Sequence, residues 1–332
     1  MKHLWFVLFF LICCCLVCPD LKAREVKDMI GRSVHVPDRI ERIASPYRVS
    51  TDMVFALGQQ EKLVAVSTRN PNKVFKRMCP DYRSLKLANR DSSVEEFLRL
   101  RPDVVFMRPG SLVNKLEQLG ISVFCLQVER PQTMIDGLVM ISKVLGTVDQ
   151  AKRIASYFQE KLAYITQKTQ DIHPKKSVSL VGYKSLFATC GGDFYQDVLI
   201  SLAGGRNVAH DLSGGWVSVS REHLLGWDPD VFVFTPYSHV HAQELFSDPT
   251  LTRLRAVKQR QVFTFPAYLD AWDLPTPESI LGIMWLAKQL YPEQIDWDME
   301  KEARSFYTQF YGQYPCQLTL EDERASSNQD RP

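Results

Sequence analysis

The sequence predicts an α/β protein of two lobes, each built on a central parallel-type sheet, joined by a single long interdomain helix with a cleft between the lobes. Three observations predict it. Strand-like apolar runs alternate with helical patterns in both halves of the chain, which is the signature of βα units. The central stretch from Thr133 to about Asp171 instead keeps helical spacing without a strand. A length of 332 residues also suits two globular units of ordinary size.

In the first half, Val34-His35-Val36-Pro37 and Ile40 to Ala44 read as the opening strands. A helix is expected from about Ser50 to Leu57, with Ser50 or Thr51 as N-cap and Gly58 as its stop. Leu63 to Val66 is the next strand. A helix opened by Ser92-Ser93 carries Glu95 and Glu96 in its first turn, and Asp103 to Met107 follows as a strand. Leu112 to Leu119 reads as a helix ended by Gly120, and Ser122 to Val128 as the last strand of this half. In the middle, Ala151 to Lys168 contains neither Gly nor Pro and predicts one uninterrupted helix. Beyond Pro174 the alternation resumes with strands at Ser177 to Gly182, Val231 to Phe234 and Gln261 to Phe265. A helix is expected from Tyr195 to Ala203, and a final one through Ile280, Ile283, Met284, Leu286, Ala287 and Leu290. The boundaries that follow are 24–132 for the N-terminal lobe, 133–172 for the helical connection and 173–315 for the C-terminal lobe, with 316–332 as a polar tail.

The first 23 residues have a different character. Lys2 and His3 precede an apolar run from Leu4 to Cys18, and Leu21-Lys22-Ala23 supplies a small residue before a polar stretch. This is a secretory signal with cleavage expected near Ala23, and its apolar run falls short of the ~20 residues that span hydrocarbon. No small residue directly precedes Cys15 or Cys18, so a soluble exported protein is expected in preference to a lipid-anchored one. Export leaves Cys79, Cys125, Cys190 and Cys316 in an oxidising compartment, with pairing open and no CxxC spacing to suggest structural zinc. Lys plus Arg total 40 against 38 Asp plus Glu, for a net charge of +2. That balance gives no electrostatic ground for nucleic acid or an anionic membrane as partner.

Several ordered landmarks carry a resemblance. They are Asp28-Met29-Ile30-Gly31-Arg32, Val34 to Ile43, Ser50-Thr51-Asp52-Met53-Val54-Phe55-Ala56-Leu57-Gly58, Leu98 to Val105, and Ala203-Gly204-Gly205-Arg206-Asn207-Val208-Ala209. With these the chain resembles the class III periplasmic binding proteins that serve ABC importers of ferric siderophores, haem, cobalamin and related complexes. The similarity runs from about Val26 to Pro292. The resemblance implies a monomeric periplasmic receptor, without a cofactor of its own, that captures a small-molecule metal complex or anion and delivers it to an inner-membrane permease. It also implies that the long helix is a stiff spacer that lets the cleft close only slightly. Finally, it implies that one acidic residue on the rim of each lobe docks onto permease arginines, at positions matching Glu95 and Glu222. Both also sit where a helix dipole favours an acid.

In such folds the ligand lies at loops beyond the carboxyl ends of the strands. In the first lobe those loops hold Tyr47, Arg48, Arg69 and Arg108, and three guanidinium forks suit an anion's oxygens. In the second they hold Tyr183 and Lys184, the stretch around Trp216, Tyr237, His239 and His241, and Tyr268 to Asp273. His239 and His241 are two apart, which on a strand puts both rings on one face and makes them candidate metal ligands. Trp216, Tyr268 and Trp272 are candidates for an aromatic pocket wall. Neither GxSxG, GxxxxGK[ST], HExxH nor an early GxGxxG occurs, so an exported α/β enzyme is the lesser alternative. Among ligands a ferric siderophore or other iron complex ranks first, cobalamin and haem next, and molybdate or tungstate behind them. A bare manganese or zinc ion fits the Arg-rich loops poorly.

Overall fold

The computed structural model describes residues 23–69, 73–79, 81–89, 91–182 and 184–312. The expected secretory signal up to Lys22, Tyr183, Cys316 and the expected polar tail fall outside them. β1 (Ala23–Lys27) pairs antiparallel with β2 (Ser33–Pro37). The first lobe then alternates β3 (Ile43–Ser45), α1 (Arg48–Ala56), β4 (Leu63–Ser67), α2 (Lys73–Met78), β5 (Lys86–Ala88), α3 (Val94–Leu100), β6 (Val104–Met107), α4 (Ser111–Glu117) and β7 (Val123–Cys125). Its five strands are all parallel, in the order β5-β4-β3-β6-β7.

Two helices follow, α5 (Pro131–Leu145) and the 22-residue α6 (Val148–Thr169). The second lobe contains β8 (Ser177–Val181), β9 (Ala188–Cys190), α7 (Tyr195–Leu202), β10 (Arg206–Asn207), β11 (Trp216–Ser218), α8 (Arg221–Trp227), β12 (Val231–Phe234), α9 (Ala242–Ser247), α10 (Arg255–Lys258) and β13 (Val262–Thr264). β10-β8-β12-β13 form a parallel sheet, and β9 and β11 a separate antiparallel pair. α11 (Ser279–Leu290) and α12 (Met299–Tyr311) close the described chain.

The strands at the centre of each sheet are unbroken apolar runs. Every residue of Val104–Met107 and of Val231–Phe234 is buried, as expected for parallel strands covered on both faces. One apolar layer is shared by both lobes. It takes Phe55, Phe106 and Phe124 from the first, Val178, Leu180 and Val233 from the second, and the inward stripes of α5, α6, α11 and α12. In α6 the stripe is Ala151, Ile154, Phe158 and Ile165, at the spacing that places one helix face inward. The opposite face of each sheet has its own smaller core. Lobes fused through one close-packed layer resist large relative motion, because such packing shifts between discrete arrangements and does not deform smoothly.

Besides the short elements that the sequence reading did not assign (β1, α2, β5, β9, β10, β11, α9 and α10), the elements depart from expectation in three places. α1 begins at Arg48 with Tyr47 as N-cap, so Ser50 and Thr51 lie inside the helix. Their hydroxyls bond back to the chain, Ser50 donating to the Tyr47 carbonyl at 2.8 Å and Thr51 to the Ser45 carbonyl at 3.1 Å; such local bonding is why Ser and Thr imitate caps in a sequence. The helix through Ile280 to Leu290 is followed by another, since α12 buries Met299, Ala303, Phe306, Tyr307, Phe310 and Tyr311 at helical spacing. The strand expected to reach Val128 stops at Cys125. Cys79, Cys125 and Cys190 are buried thiols without a disulfide among the described residues.

Candidate functional site

All five strands of the first sheet deliver the segment after their carboxyl end to one cavity of about 770 Å³. Tyr47, Arg48 and Val49 follow β3, Arg69 follows β4, Asn89 and Asp91 follow β5, Arg108 follows β6, and Val128 and Glu129 follow β7. The strand order reverses between β3 and β6, and a topological switch point is where such sheets open a crevice. Tyr47, Arg48 and Arg108 flank that point. Across the cavity the second lobe contributes Asp193, Phe194, Tyr195 and Gln196 after β9, Gly215 before β11, and Leu274 and Pro275 after β13.

Two helices begin at this cavity from opposite sides. α1 starts at Arg48 and α7 at Tyr195, and neither Tyr47 nor Phe194 at the N-cap supplies a side-chain acceptor to the first-turn amides. First-turn amides without a side-chain cap and the positive end of the helix dipole therefore face the cavity from both lobes, with Asp197 in the first turn of α7. The three arginines add full charge, in different states. Arg108 is exposed, lies 5.6 Å over the Tyr47 ring and stands 3.7 Å from Glu129, so it is loosely held and free to meet a ligand. Burial pushes the Tyr47 phenol up to about 12, which keeps it neutral against its cationic neighbour. Arg69 is exposed, with its backbone N–H donating to the Ser67 hydroxyl at 3.3 Å.

Arg48 is different. Its Nε donates to Asp270 Oδ2 at 2.5 Å and its Nη2 pairs with Asp270 Oδ1, a bidentate ion pair that crosses from the first lobe to the second. Asp270 is 1 % exposed, and its Oδ1 also accepts the Ala271 N–H at 2.7 Å.

The structure brings Tyr47, Arg48, Arg69 and Arg108 together and puts the described second-lobe candidates elsewhere. Tyr268 and Trp272 are core residues: their rings stack at 5.5 Å, and Trp272 Nε1 donates to the Tyr307 hydroxyl at 3.1 Å. α11 reaches them closely because Gly282 lies against the Trp272 carbonyl, where a Cβ would come within 2.2 Å of the oxygen. Tyr237 turns inward and donates to Asp273 Oδ2 at 3.1 Å. Trp216 lies behind the cavity wall, edge-on to Phe194 at 5.2 Å and over Gly182. Lys184, His239 and His241 are exposed and do not line the cavity. His239 and His241 sit on a bend and a helix N-cap, not a strand, so their spacing does not align the rings; the His241 N–H donates to Glu244 Oε1 at 2.9 Å. No cluster of three or more potential metal ligands occurs among the described residues.

Among the cavity residues that the sequence reading passed over are the Asp193 to Gln196 segment, Asn89, Asp91, Val128, Glu129, Leu274 and Pro275. The signal for the first was the glycine pair before it. A Cβ on Gly191 would come within 2.4 Å of the Leu212 carbonyl oxygen, and one on Gly192 within 2.0 Å of that of His210. These glycines let the turn press against 210–214 and aim α7 at the cleft.

Glu95 and Glu222 occupy matching positions on the two lobes. Ser93 and Ser220 cap α3 and α8, accepting from the Glu96 and His223 N–H groups at 3.3 and 3.2 Å. Both helices end in a left-handed residue, Arg101 and Asp228, followed by Pro-Asp. Each Asp then anchors the neighbouring strand: Asp103 accepts from the Arg42 N–H and Asp230 from the Ser177 N–H, both at 2.8 Å. Glu95 and Glu222 are exposed, and first-turn amides with the cap hydroxyls hold both carboxyls below the usual range.

Comparison with known proteins agrees with this architecture. The family model for periplasmic binding proteins matches residues 43–269. The molybdate-binding protein MolA of Haemophilus influenzae is 26 % identical, with 88 % of this chain and 92 % of that protein covered. The ABC transporter substrate-binding lipoprotein YvrC of Bacillus subtilis is 25 % identical, covering 81 % of this chain and 85 % of its own length. Among solved structures, a periplasmic solute-binding protein from Veillonella parvula superposes with a TM-score of 0.81 at 25 % identity, covering 91 % of this chain and 95 % of that one. MolA bound to molybdate superposes at 0.77 with 23 % identity, covering 88 % and 99 %, which shows a shared fold. Two α/β lobes around a cleft, strand ends converging on a switch point and a family match over most of the chain place this protein in the periplasmic binding protein family of ABC-transporter solute receptors.

Proposed function

We propose that this chain is an exported receptor that captures an anionic ligand in the interlobe cleft and hands it to an ABC permease, with a molybdate- or tungstate-type oxyanion as the first ligand. The observation that carries this reading is the convergence of two uncapped helix N-termini, from opposite lobes, with three arginines on one cavity. Each helix end offers amide donors, Arg69 and Arg108 offer forks of donors, and Arg48 adds its charge while paired with Asp270. The similarity to MolA supports the choice of oxyanion.

The volume of about 770 Å³ favours a second reading, an anionic iron chelate such as a ferric siderophore. It falls in the ~300–1,000 Å³ range of pockets for organic ligands and far exceeds a four-oxygen ion. In that reading the chelate brings its own metal, and the arginines meet its oxygens.

Tryptophan fluorescence of the secreted form, beginning near Arg24, titrated with molybdate, tungstate, sulfate, a ferric siderophore panel, haemin and cobalamin tests both. Saturation by molybdate or tungstate supports the first, and saturation by a ferric siderophore alone selects the second. Binding only by an uncharged or cationic compound refutes the anion reading. For delivery, Glu95 and Glu222 are the docking residues of the two lobes, exposed and equivalent in local structure. Replacing both by Ala leaves ligand affinity unchanged and abolishes uptake; wild-type uptake by that double variant removes the docking role.

A further inference from the structure

Behind Arg48 the lobes meet over four buried carboxylates. Asp52 comes from α1, and Asp270, Asp273 and Glu278 from the segment between β13 and α11; none is more than 1 % exposed. The Asp270 N–H donates to Glu278 Oε2 at 2.8 Å, tying two of the second-lobe acids together. Arg48 is the cation whose field reaches Asp52, Asp273 and Glu278 while it pairs with Asp270. Four carboxylates against one guanidinium cannot all hold charge in a dry interface.

The hydrogen bonding agrees. Both oxygens of Asp52, Oδ1 of Asp273 and Oε1 of Glu278 find no well-formed hydrogen bond, and the Thr276 hydroxyl beside Asp52 offsets its burial only in part. A buried ionised carboxylate without donors is costly, and a proton is the cheapest remedy.

The other titratable groups packed on the cluster stay neutral. Tyr237 faces it from the loop after β12 and Cys190 from β9, and burial pushes both upward. The same holds for Tyr195 on α7 and for Tyr307 and Tyr311 on α12. Only the carboxylates are left to change charge. Burial pushes Asp52 up to about 7 and Asp273 up to about 6, with Arg48 opposing in both cases.

Arg48 lines the ligand cavity on one side and faces this cluster on the other. We propose that an anion captured at Arg48 draws a proton into the carboxylate cluster behind it, so that the receptor binds its ligand more tightly as pH falls. The inference rests on the anion reading of the cleft. An anion beside Arg48 offsets the guanidinium field that favours ionised Asp52, Asp273 and Glu278, and losing that field favours their protonated forms. By linkage, proton uptake on binding and tighter binding at lower pH are the same coupling seen from two sides.

Calorimetric titration of the secreted protein with molybdate, in buffers of different ionisation enthalpy between about pH 6.5 and 8, counts the protons directly; molybdate stays a dianion there. The expected result is net uptake of up to about one proton per ligand, with affinity rising by up to about tenfold per unit fall in pH. The paired substitution Asp52→Asn and Glu278→Gln keeps binding and lowers the uptake, leaving Asp273 as the remaining group that can take the proton. Molybdate binding without proton exchange, or with uptake unchanged in the variant, overturns the coupling and leaves the anion reading standing. No saturable binding of molybdate, tungstate or ferric siderophore at any pH overturns both. Should the variant fail to fold, the proton count of the unmodified protein decides.

Discussion

Replacing Asp52 by Asn isolates the energetic cost of the charge cluster at the lobe interface. Asp52 is 0 % exposed, neither oxygen accepts a hydrogen bond, and burial pushes its carboxyl up to about 7 against the pull of Arg48. The direction of the pH effect follows. An unfolded Asp titrates near ~3.9. Between that value and about 7 the native state holds a proton that the unfolded chain has released. Stability therefore falls as pH rises through this window, with no cost below it and the full cost above it. A shift of about three units at ~1.4 kcal/mol each sets an upper limit of about 4 kcal/mol, and sharing of the proton with Glu278 reduces it to about 2–4 kcal/mol. Asn matches the protonated acid in shape and cannot ionise. The variant is expected to equal the wild type near pH 4 and to exceed it by about 2–4 kcal/mol at pH 8, with a melting temperature several degrees higher. Urea denaturation followed by tryptophan fluorescence at several pH values supplies the difference curve, which removes contributions common to both proteins, such as the His210 imidazole raised by Asp197. A flat difference between pH 4 and 8 would refute the assignment of a neutral, proton-holding Asp52.

The cleft arginines and two glycines give contrasting expectations. Arg48→Ala leaves Asp270 buried without its cation and should destabilise the fold by about 3–5 kcal/mol as well as weaken anion binding. Arg108→Ala, on an exposed side chain, should keep stability within about 0.5 kcal/mol while costing about 1–3 kcal/mol of anion affinity; equal behaviour of the two variants in urea melts would contradict the distinction. Gly282→Ala forces a Cβ to 2.2 Å from the Trp272 carbonyl oxygen and should destabilise by about 2 kcal/mol or more. In contrast, Gly226→Ala in α8 meets open space and should stabilise by up to about 1 kcal/mol. Thermal melts that rank the two alanine variants the other way would overturn the packing account of α11.

Most of the fold was legible because each parallel strand is a short apolar run between turn residues. Val104–Met107 and Val231–Phe234 stand out for that reason, and α6 for a long stretch free of Gly and Pro. The miss at α12 was avoidable, since Asp298 accepts from the Lys301 N–H at the helix start, Gly312 is left-handed at the end, and the aromatics between recur at helical spacing. The first-lobe side of the cleft was legible too: Arg48, Arg69 and Arg108 follow strands whose carboxyl ends point one way by the handedness of βα units. The second-lobe side was not. An aromatic in a loop reads the same whether it lines a pocket or fills a core, and Tyr268 and Trp272 became core because Gly282 admits α11 and Tyr307 accepts the indole N–H.

By itself, the sequence determined the two-lobed α/β architecture, the helix starts carrying Glu95 and Glu222, and the loops that bring arginines to the cleft. All of these are local: periodicity, caps and strand ends depend on residues a few positions apart. Only the tertiary structure decided that Arg48 pairs with Asp270 across the lobes, that four carboxylates share one dry interface, and that α7 aims its N-terminus opposite α1. Charge pairing and burial depend on distances between segments more than 200 positions apart in the chain, as the 222-residue separation of Arg48 and Asp270 shows. No local pattern encodes such distances.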